Sequence, residues 1–474
     1  MTLEDKILAI VLAGGKGTRM YNLTKERAKP AVPFAGYRII DIMLSNLIVP
    51  KNPNMKQIHI LTEYKSDSLS DHIGRLHQKL GLDEFVRIIP TQQRELKEFT
   101  RGSGDSIYNT RFNRSQLPFD PDHYLVLSGD HITDIDLVAL LKYHKRTGAD
   151  LTITVKRLPV AEAEGMGIVV VDPEMNVIDF VEKPEIPPEI PGDPGYCLVN
   201  EAEYVYRPEL LDDSSKRFLP PASEKRYDQS LHIVTPLVKE GKFKIKAFMH
   251  DGYWADVGTL DSLFKANMDM ISPNPKFNLY HKERHYNSYV DKYQGVGPKI
   301  SDTGVAKSGT ILNNGTIISG IADRCVFSYG IETKPGSNLF EVVAFDECLF
   351  SKNSFAKHSI FDKETYVGEG AVVDPSRIDL FVVNGNVVGQ NRNGYRIVPI
   401  GTDSDRAKWD HILVQKSLDN IDFEQILDED GYIPQMEMRP PKGMRYGRFI
   451  EFVITPERKL AFSKYTNIPD GFII

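Results

Sequence analysis

From Ile7 to Val257, short runs of apolar and β-branched residues alternate with stretches in which apolar residues recur three and four positions apart. The runs predict strands, which are ILAIVLA, QIHILT, YLVLSGD, LTITV, GIVVV, VIDFVEK and FKIKAF. Segments such as IIDIMLSNLIV and DIDLVALLKYHKRTG predict helices between them. Strands and helices in alternation are typical of an α/β domain with a mostly parallel sheet covered on both faces. Such sheets bind ligands beyond the carboxyl ends of their strands.

A different pattern follows the segment SPNPKFNLY, which is rich in Pro and Asn. From Cys325 to Val373, every sixth residue is Cys, Ile, Ser, Val, Leu, Phe, Phe, Val or Val, with Gly, Ser and Asn between them. This period is typical of the hexapeptide repeat of a parallel β-helix. An antiparallel sandwich is the alternative, because a two-residue period also satisfies a six-residue one. The β-helix is favoured because Thr333, Phe345 and Asn353 do not alternate well.

These patterns predict a first domain at residues 1–272, a linker at 273–298, a β-helix at 299–390 and a C-terminal extension at 391–474. A chain of 474 residues exceeds the length at which one core usually divides into domains. The extension has a mixed pattern that predicts neither a fold nor a role.

Composition and charge limit the classes of function. The net charge of -7 argues against a nucleic-acid binder, which needs a basic surface. Three cysteines are too few and too scattered for a disulfide framework or a zinc site. The N-terminal MTLEDKILAI has acidic residues where a signal peptide needs basic ones, and no apolar run approaches membrane length. We therefore expect a cytoplasmic protein with neither nucleic acid nor membrane as partner.

A glycine-rich segment, AGGKGTR, directly follows the first predicted strand. It matches neither the Walker A loop nor the dinucleotide fingerprint. Gly14, Gly15 and Gly17 nevertheless leave backbone N–H groups free to converge on phosphate oxygens. The guanidinium of Arg19 can donate two parallel hydrogen bonds to a phosphate pair. A tight structural turn is the alternative for this segment alone.

Two carboxylates follow strand-like runs. Asp130 ends the run YLVLSGD, and Asp256 lies in GYWADVGT. A carboxylate at the end of a central strand suits Mg²⁺, which proteins usually hold with one or two carboxylates. For Asp130 an ordinary turn residue is the alternative.

Two lysines lie beside prolines. Lys29 precedes Pro30, which biases it toward extended geometry, so its ammonium can be aimed at a phosphate. Lys183 follows Glu182 at the end of VIDFVEK, again before a proline. A solvated turn and a surface ion pair are the respective alternatives.

Taken in order, these stretches resemble the sugar-1-phosphate nucleotidyltransferases, and within them the ADP-glucose pyrophosphorylases. The motifs that carry the resemblance are LAGGKGTRM, KERAKPAVPFAG, RIIDIMLSN, PTQQR, RGSGDS, SGDHI, FVEKP and YWADVGT. The resemblance covers residues 7 to 390. It implies a nucleotide-binding α/β domain followed by a left-handed parallel β-helix.

The resemblance implies that ATP and glucose 1-phosphate react to give ADP-glucose and pyrophosphate, with Mg²⁺ as the cofactor. It implies catalytic roles for Arg19, Asp130 and Lys183, and metal binding by Asp130 and Asp256. The residues implied in nucleotide binding are Leu12, Ala13, Gly14, Gly15, Gly17, Thr18, Arg19, Gln92, Gly102 and Asp105. The residues implied in sugar-phosphate binding are Thr100, Gly167, Glu182, Lys183 and Asn200.

The resemblance further implies a homotetramer and a phosphorylated allosteric effector, with Lys29 in the effector site. Two other functions stay open. One is a sibling enzyme that uses a different sugar phosphate or nucleotide. The other is a non-catalytic regulatory subunit, although such a subunit has no reason to keep all four of Arg19, Asp130, Lys183 and Asp256. A third and weaker hypothesis, based on His358, is an acetyltransferase role for the β-helix.

The chain departs from the family pattern mainly on the sugar side. Thr100 in FTRGSGDS replaces a tyrosine of the family's WYRGTADA. In NEAEYVY, Asn200, Ala202 and Glu203 stand at the serine, second glycine and isoleucine of SMGIYVF. The segment DQSLHIVTP lacks a glycine and a lysine of DFGKDIIP. These changes predict an enzyme that uses ATP with weaker or broader sugar selection.

Overall fold

The computed structural model describes most of the first two domains and a few strands beyond them. The described residues are 5–25, 27–48, 54–82, 84–91, 100–221, 223–275, 277–279, 293, 295–370, 372–373, 380–383, 397–400, 411–414, 449–454 and 459–466. The predicted linker 273–298 and extension 391–474 thus lie mostly outside the described residues.

The first domain contains strands between helices, as the apolar runs predict. The strands are β1 (Ile7–Leu12), β2 (Pro33–Phe34), β3 (Tyr37–Arg38), β4 (Met55–Thr62), β5 (Val86–Pro90), β6 (His123–Ser128), β7 (His131–Thr133), β8 (Leu151–Pro159), β9 (Gly167–Val171), β10 (Val177–Glu182), β11 (Tyr196–Tyr206), β12 (Ile245–Met249) and β13 (Trp254–Asp256). The helices are α1 (Ile39–Ile48), α2 (Asp67–Leu80), α3 (Ser103–Asn109), α4 (Arg111–Ser115), α5 (Leu137–Thr147), α6 (Pro208–Arg217), α7 (Thr235–Glu240) and α8 (Leu260–Met270). Short 3-10 turns at Thr18–Thr24, Lys29–Ala31 and Val160–Glu162 and a π turn at Ser230–Val234 complete it.

The main sheet has a parallel half and a mixed half. Its order is β10-β9-β11-β6-β1-β4-β5, and β8 pairs with both β11 and β12. The strands β6, β1, β4 and β5 are parallel, as predicted, whereas β11 runs antiparallel to β6, β8 and β9. Because parallel strands end at one edge, the segments that follow β1, β4 and β6 meet there.

Side chains of β1 alternate between two apolar cores, one on each face of the sheet. Ala9 and Val11 pack with residues of α1, α2 and α5. Leu8 and Ile10 pack on the other face with residues of α6 and α7. The strand is buried on both faces because helices cover both, which is why it is an uninterrupted apolar run.

The second domain is a parallel β-helix, so the antiparallel sandwich is wrong. Its strands are β14 (Lys299–Ile300), β15 (Val305–Ala306), β16 (Ile311–Leu312), β17 (Ile317–Ile318), β18 (Ile321–Asp323), β19 (Val326–Phe327), β20 (Glu332–Thr333), β21 (Asn338–Ala344), β22 (Leu349–Phe350), β23 (Phe355–Phe361), β24 (Tyr366–Val367) and β25 (Val372–Val373). All the pairs that these strands form with one another are parallel.

The coils are one residue shorter than three hexapeptides. Ala322 pairs with Leu339, Leu339 with Ala356, and Ala356 with Val373, so from Ala322 onward each coil advances seventeen residues. The earlier pairs advance by other numbers, since Lys299 pairs with Ile317 and Ile317 with Glu332. Inward side chains therefore follow a period of five, six and six residues, and the strict six-residue period predicted from Cys325 is wrong in detail. The last five residues of that series include Leu349 and Phe355, which are only partly buried.

Corners of the β-helix recur at the same seventeen-residue spacing and adopt left-handed backbone. They form three columns, which are Arg324, Glu341 and His358; Gly330, Glu347 and Glu364; and Gly336, Asn353 and Gly370. Left-handed backbone is strained for residues other than glycine, so the tight turn of each corner must be imposed by the stacked strands.

An apolar core joins the two domains. Phe264 and Leu263 of α8 pack with Val326, Val343 and Ile360 of the β-helix in one cluster. Arg27 also donates a 2.7 Å hydrogen bond to the buried Asp362 carboxylate. The β-helix therefore packs directly against the first domain.

The described part of the C-terminal segment consists of strands. They are β26 (Leu380–Val383), β27 (Ile397–Ile400), β28 (His411–Val414), β29 (Phe449–Ile454) and β30 (Lys459–Thr466). The strand β26 pairs in parallel with β23 and β30, so this segment continues one face of the β-helix. Among the described residues no helix combines the length and apolar character needed to cross a membrane.

Candidate active site

Two aspartates lie together beyond the carboxyl edge of the parallel half-sheet. The strands β7 and β13 form an antiparallel ribbon in which Asp256 pairs with His131. Asp130 immediately precedes His131, directly after β6 and Gly129. Gly129 has no room for a side chain, because a Cβ atom there would lie 3.0 Å from the carbonyl oxygen of Leu12. The ribbon thus brings together the two carboxylates that the sequence predicts as metal ligands.

Lys29 bridges these carboxylates. Its Nζ lies 3.0 Å from Oδ2 of Asp130 and 3.0 Å from Oδ1 of Asp256, and the residue is 4% exposed. It lies in a 3-10 turn after the extended Ala28, instead of being extended itself as Pro30 led us to predict. The ammonium of Lys29 is therefore buried at the carboxylate pair. The effector role that the resemblance implies for Lys29 stays a prediction.

The glycine loop passes beside the same pair. A Cβ atom on Gly15 would lie 3.9 Å from Oδ2 of Asp130. Gly17 has a φ of +63°, and a Cβ there would lie 2.9 Å from Cβ of Lys29, so only glycine fits both the backbone and the space. Arg19, which is largely exposed, reaches to 3.9 Å from Asp256. Loop, arginine and carboxylates therefore share one centre, as predicted.

Electrostatics favours the charged forms of this centre. Burial alone would lower the pKa of Lys29, but Asp130 and Asp256 raise it above its usual value. Burial opposes ionisation of the two aspartates, yet Lys29 and His131 lower the pKa of each. The two carboxylates are therefore ionised and the ammonium is charged.

His131 is part of the centre and was not predicted. Its Nε2 lies 3.8 Å from Oδ1 of Asp130 and 4.0 Å from Oδ1 of Asp256, and its Nδ1 lies 3.8 Å from Oε1 of Glu203. Burial lowers the pKa of His131, but Glu203 and the aspartates outweigh it and raise the pKa to about 9. The sequence signal for this contact is the acid Glu203, which stands at the isoleucine position of the family pattern.

A second group of predicted residues lies on the hairpin of β9 and β10. Gly167 pairs with Glu182 across the hairpin, and a Cβ on Gly167 would lie 3.2 Å from Oε2 of Glu182. Lys183 has a φ of +48°, and its Nζ lies 3.8 Å from Oε1 of Glu182. Burial raises the pKa of Glu182. The structure thus brings together three of the five residues implied in sugar-phosphate binding.

Asn200 lies on β11 at a bulge. Its Nδ2 donates to the hydroxyl of Tyr204 at 2.8 Å, and its Oδ1 accepts from the backbone N–H of Ala202 at 3.1 Å. Ala202 has a φ of +62°, and the β11 register is interrupted here. Alanine thus adopts a conformation that suits the glycine of the family pattern, and Asn200 supports the bulge.

Thr100 and Asp105 make contacts within the protein. The backbone N–H and hydroxyl of Thr100 both donate to the carboxylate of Glu63, which follows β4 beside Gly14. Asp105 is 1% exposed and accepts from Arg101, at 3.0 Å from Nε and 2.8 Å from Nη2. Glu63, a residue the sequence did not single out, therefore links the glycine loop to the segment at 100–106.

The remaining predicted residues are at three places. Gly102 has a φ of +144°, and a Cβ on it would lie 2.5 Å from Oδ1 of Asp228. Leu12, Ala13 and Thr18 lie at the end of β1 and at the start of the following turn. Gln92 lies outside the described residues.

A family model of the nucleotidyl transferases matches residues 8–272, which contain all the predicted site residues described above. The chain belongs to the nucleotidyl transferase family. Members named glucose-1-phosphate adenylyltransferase resemble it over most of its length. The protein from Shewanella sp. strain MR-4 is 35% identical over 385 residues, which cover 78% of this chain and 90% of the relative. The protein from Corynebacterium jeikeium strain K411 is 32% identical over 412 residues, covering 83% and 99%.

The family match of this nucleotidyl transferase covers the first domain, and the β-helix lies outside the matched residues. His358, the basis of the acetyltransferase hypothesis, is at a corner of the β-helix. Its Nδ1 lies 3.1 Å from Oε2 of Glu341, and its ring lies 4.5 Å from that of Phe264. These contacts give His358 a structural role between the domains.

Proposed function

We propose that this protein is a glucose-1-phosphate adenylyltransferase, which converts ATP and glucose 1-phosphate into ADP-glucose and pyrophosphate. The observation that carries the proposal is the carboxylate pair Asp130–Asp256 beside the loop of Gly14, Gly15 and Gly17. The names and coverage of the relatives support the same reaction. In that reaction a phosphate oxygen of the sugar attacks the α-phosphorus of ATP, and the bond to pyrophosphate breaks.

The protein's contribution to such a reaction is positioning and neutralisation of charge, because phosphoryl transfer needs little covalent work from the enzyme. Backbone N–H groups of the glycine loop would hold the triphosphate. Arg19, at the exposed side of the centre, would stabilise the negative charge that develops on the leaving pyrophosphate. Lys29 balances the two carboxylates and holds them in place.

The donor set at Asp130 and Asp256 fits Mg²⁺. The ion prefers oxygen ligands in octahedral geometry and is usually held by one or two carboxylates plus substrate phosphates. Among the described residues no group of three or more His, Cys, Asp or Glu side chains is arranged to hold a metal. When bound, Mg²⁺ supplies positive charge at the phosphates.

On the sugar side, Lys183 would bind the phosphate of glucose 1-phosphate. Its side chain is 54% exposed and therefore accessible, and the neighbouring Glu182 would accept hydrogen bonds from hydroxyl groups of the sugar. The side-chain amide of Asn200 already makes hydrogen bonds to Tyr204 and Ala202, so it has less capacity to bind the sugar. This supports weaker or broader sugar selection than the family pattern implies. A hydrogen bond to a substrate hydroxyl contributes on the order of 1 kcal/mol, so each missing contact lowers the affinity several-fold.

A homotetramer and a phosphorylated effector remain part of the proposal. Exposed large apolar side chains lie at and just before the start of the β-helix, at Val296, Ile300, Val305 and Ile317. Apolar surface beside unpaired strand edges favours association. Light scattering of the purified protein at micromolar concentration should give a mass near four times 53.6 kDa; a monomer mass would contradict the proposed assembly.

The deciding experiment measures pyrophosphate release with Mg²⁺ and a matrix of nucleotides and sugars. ATP, GTP and UTP are each paired with the 1-phosphates of glucose, mannose, galactose and glucosamine. We expect turnover with ATP and the highest kcat/KM with glucose 1-phosphate. Preference for another pair would identify a sibling enzyme, and absence of turnover with every pair would favour a regulatory subunit.

A further inference from the structure

The segment DQSLHIVTP is one residue longer than the family pattern DFGKDIIP, and it contains the π turn at Ser230–Val234. The backbone N–H of Thr235 donates to the carbonyl oxygen of Ser230, five residues earlier, and the Thr235 hydroxyl donates to the same oxygen at 2.9 Å. A π turn closes around one residue more than an α-helical turn, so it accommodates the extra residue. Such turns often occur at functional sites.

The extra residue changes which side chain stands at the lysine of the family pattern. Counted forward from the shared Asp228, that position is Leu231. Counted back from the shared Pro236, it is His232. The π turn lies between these two shared residues, so His232 is the polar side chain available to replace the lysine.

The imidazole of His232 has one nitrogen bound within its own segment. The backbone N–H of Asp228 lies 3.0 Å from Nδ1, and a backbone N–H can only donate, so Nδ1 accepts. Nε2 on the other side of the ring therefore carries a hydrogen. The ring packs edge to face on Tyr227, with centroids 5.8 Å apart. His232 is half-buried, and Nε2 has no hydrogen-bond partner in the part of the chain that the structure describes.

The π turn lies beside the residues implied in sugar-phosphate binding. It packs against β10, the strand that ends at Glu182. The hydroxyl of Ser230 lies 3.3 Å from that of Tyr204. Tyr204 in turn accepts a hydrogen bond from Asn200. The turn is thus connected to both strands that carry the predicted sugar site.

Donor groups surround the Glu182 carboxylate, and the cations among them already face carboxylates. Burial raises the pKa of this carboxylate, whereas nearby Lys183, Arg226 and His232 act to lower it. Nζ of Lys183 lies 3.8 Å from Oε1 of Glu182, and the guanidinium of Arg226 is paired with Asp228. Of these three side chains, His232 is the one whose donor faces no carboxylate among the described residues.

We propose that Nε2–H of His232 donates a hydrogen bond to the phosphate of the sugar 1-phosphate and replaces the lysine of the family pattern in holding that substrate. The proposal rests on the proposed function, because it presupposes a sugar 1-phosphate bound beside Glu182 and Lys183. Hydrogen bonds to an ionised phosphate are stronger than those between neutral groups. A single imidazole N–H replaces the three N–H donors of an ammonium, so the contact depends more on the direction of the ring.

The test compares His232→Asn and His232→Gln with the parent protein. Asparagine places its carbonyl oxygen near the position of Nδ1, so it can still accept from the N–H of Asp228 but has no donor at the position of Nε2. Glutamine is one methylene longer and can bring an amide N–H to that position. The matched control is His358→Asn, because His358 is also a partly exposed histidine bound through Nδ1 but lies at a corner of the β-helix.

The assay is steady-state pyrophosphate release with ATP and the 1-phosphates of glucose, mannose and galactose, together with thermal unfolding. We expect His232→Asn to raise the KM for glucose 1-phosphate at least about five-fold, since it loses a hydrogen bond to a charged group. Its KM for ATP should stay within about twofold of the parent, and its unfolding midpoint should be unchanged. His232→Gln should raise the KM for glucose 1-phosphate less than His232→Asn does, and His358→Asn should leave it unchanged.

The sugars differ in their hydroxyl groups but share the phosphate, so His232→Asn should weaken every sugar 1-phosphate that the parent uses by the same factor. A change in the ratios between sugars would contradict the phosphate contact and assign the N–H to a sugar hydroxyl. A KM for glucose 1-phosphate within about twofold of the parent in His232→Asn would also overturn the proposal. Failure of both His232 variants to fold would make His232 a structural group of the π turn. A parent without turnover for any pair of substrates would instead overturn the proposed function.

Discussion

Replacement of Lys29 by methionine should remove the cation that holds Asp130 and Asp256 together while keeping most of the side-chain volume. Each carboxylate lies 3.0 Å from Nζ. With an effective dielectric constant of about 20, one such contact corresponds to about 5 kcal/mol of attraction. The net loss is smaller, because removal of one partner from a buried pair costs about 3 to 5 kcal/mol.

The lower end of that range applies here. The aspartate side chains are 26% and 28% exposed, so water stabilises part of their charge once Lys29 is gone. We therefore expect Lys29→Met to lower the free energy of unfolding by about 3 kcal/mol. In a domain of this size, such a loss lowers the unfolding midpoint by about 6 to 12 °C.

The assay is thermal unfolding followed by circular dichroism, first in EDTA and then in Mg²⁺. The control is Lys145→Met, which breaks a 2.8 Å pair with Asp5 at a lysine whose side chain is 53% exposed. Such a surface pair contributes below about 1 kcal/mol. The double variant that combines Lys29→Met and Asp256→Asn should recover part of the lost unfolding free energy, because it removes the repulsion between the two carboxylates. Equal midpoints for Lys29→Met and Lys145→Met in EDTA would refute the reasoning.

Three further predictions concern catalysis and folding. Asp130→Asn keeps the side-chain shape and removes the charge, so kcat should fall more than ten-fold with an unchanged circular dichroism spectrum; a loss within about threefold, or roughly 0.7 kcal/mol of barrier, would contradict the metal role. Lys183→Ala should raise the KM for glucose 1-phosphate far more than that for ATP in steady-state kinetics, and equal increases would remove Lys183 from the sugar site. Gly320→Ala should lower the denaturant midpoint, because the added Cβ would clash with the carbonyl oxygen of Ser337. The control is Gly297→Ala, where a Cβ meets nothing within 4 Å. An equal decrease in both variants would show that the clash is not the cause.

Much of the first domain was predictable because its signals are local. An apolar run such as that of β1 is buried on both faces, and a glycine loop after it needs little tertiary information to be recognised. The pairing of Asp130 with Asp256 also followed from motif positions. Their common contact with Lys29 did not, because it depends on a turn more than two hundred residues away from Asp256 in sequence.

The coil length and the buried acids were harder to predict, for different reasons. A period of five, six and six residues resembles a six-residue period over short stretches, so Phe361, Val367 and Val373 satisfy both. That each coil is one residue short of three hexapeptides appears only when strands are aligned across coils. Glu201 and Glu203 lie in a segment where the chain departs from the family pattern, and that departure says nothing about their contacts. The histidines beside them, His250 and His131, come from distant parts of the chain.

From Arg324 to Gly370 the coils of the β-helix have one constant length of seventeen residues. Because the three corner columns keep their spacing from Arg324 to Gly370, insertion or deletion of one whole coil would leave the inward residues of the other coils unchanged. Insertion of a single residue within a strand would instead turn the following side chains outward until a corner absorbed it. Each complete coil adds about 4.8 Å along the axis. Variation in the length of this domain should therefore occur in steps of about that height, and each step would move the strands that follow β25 one level farther from α8.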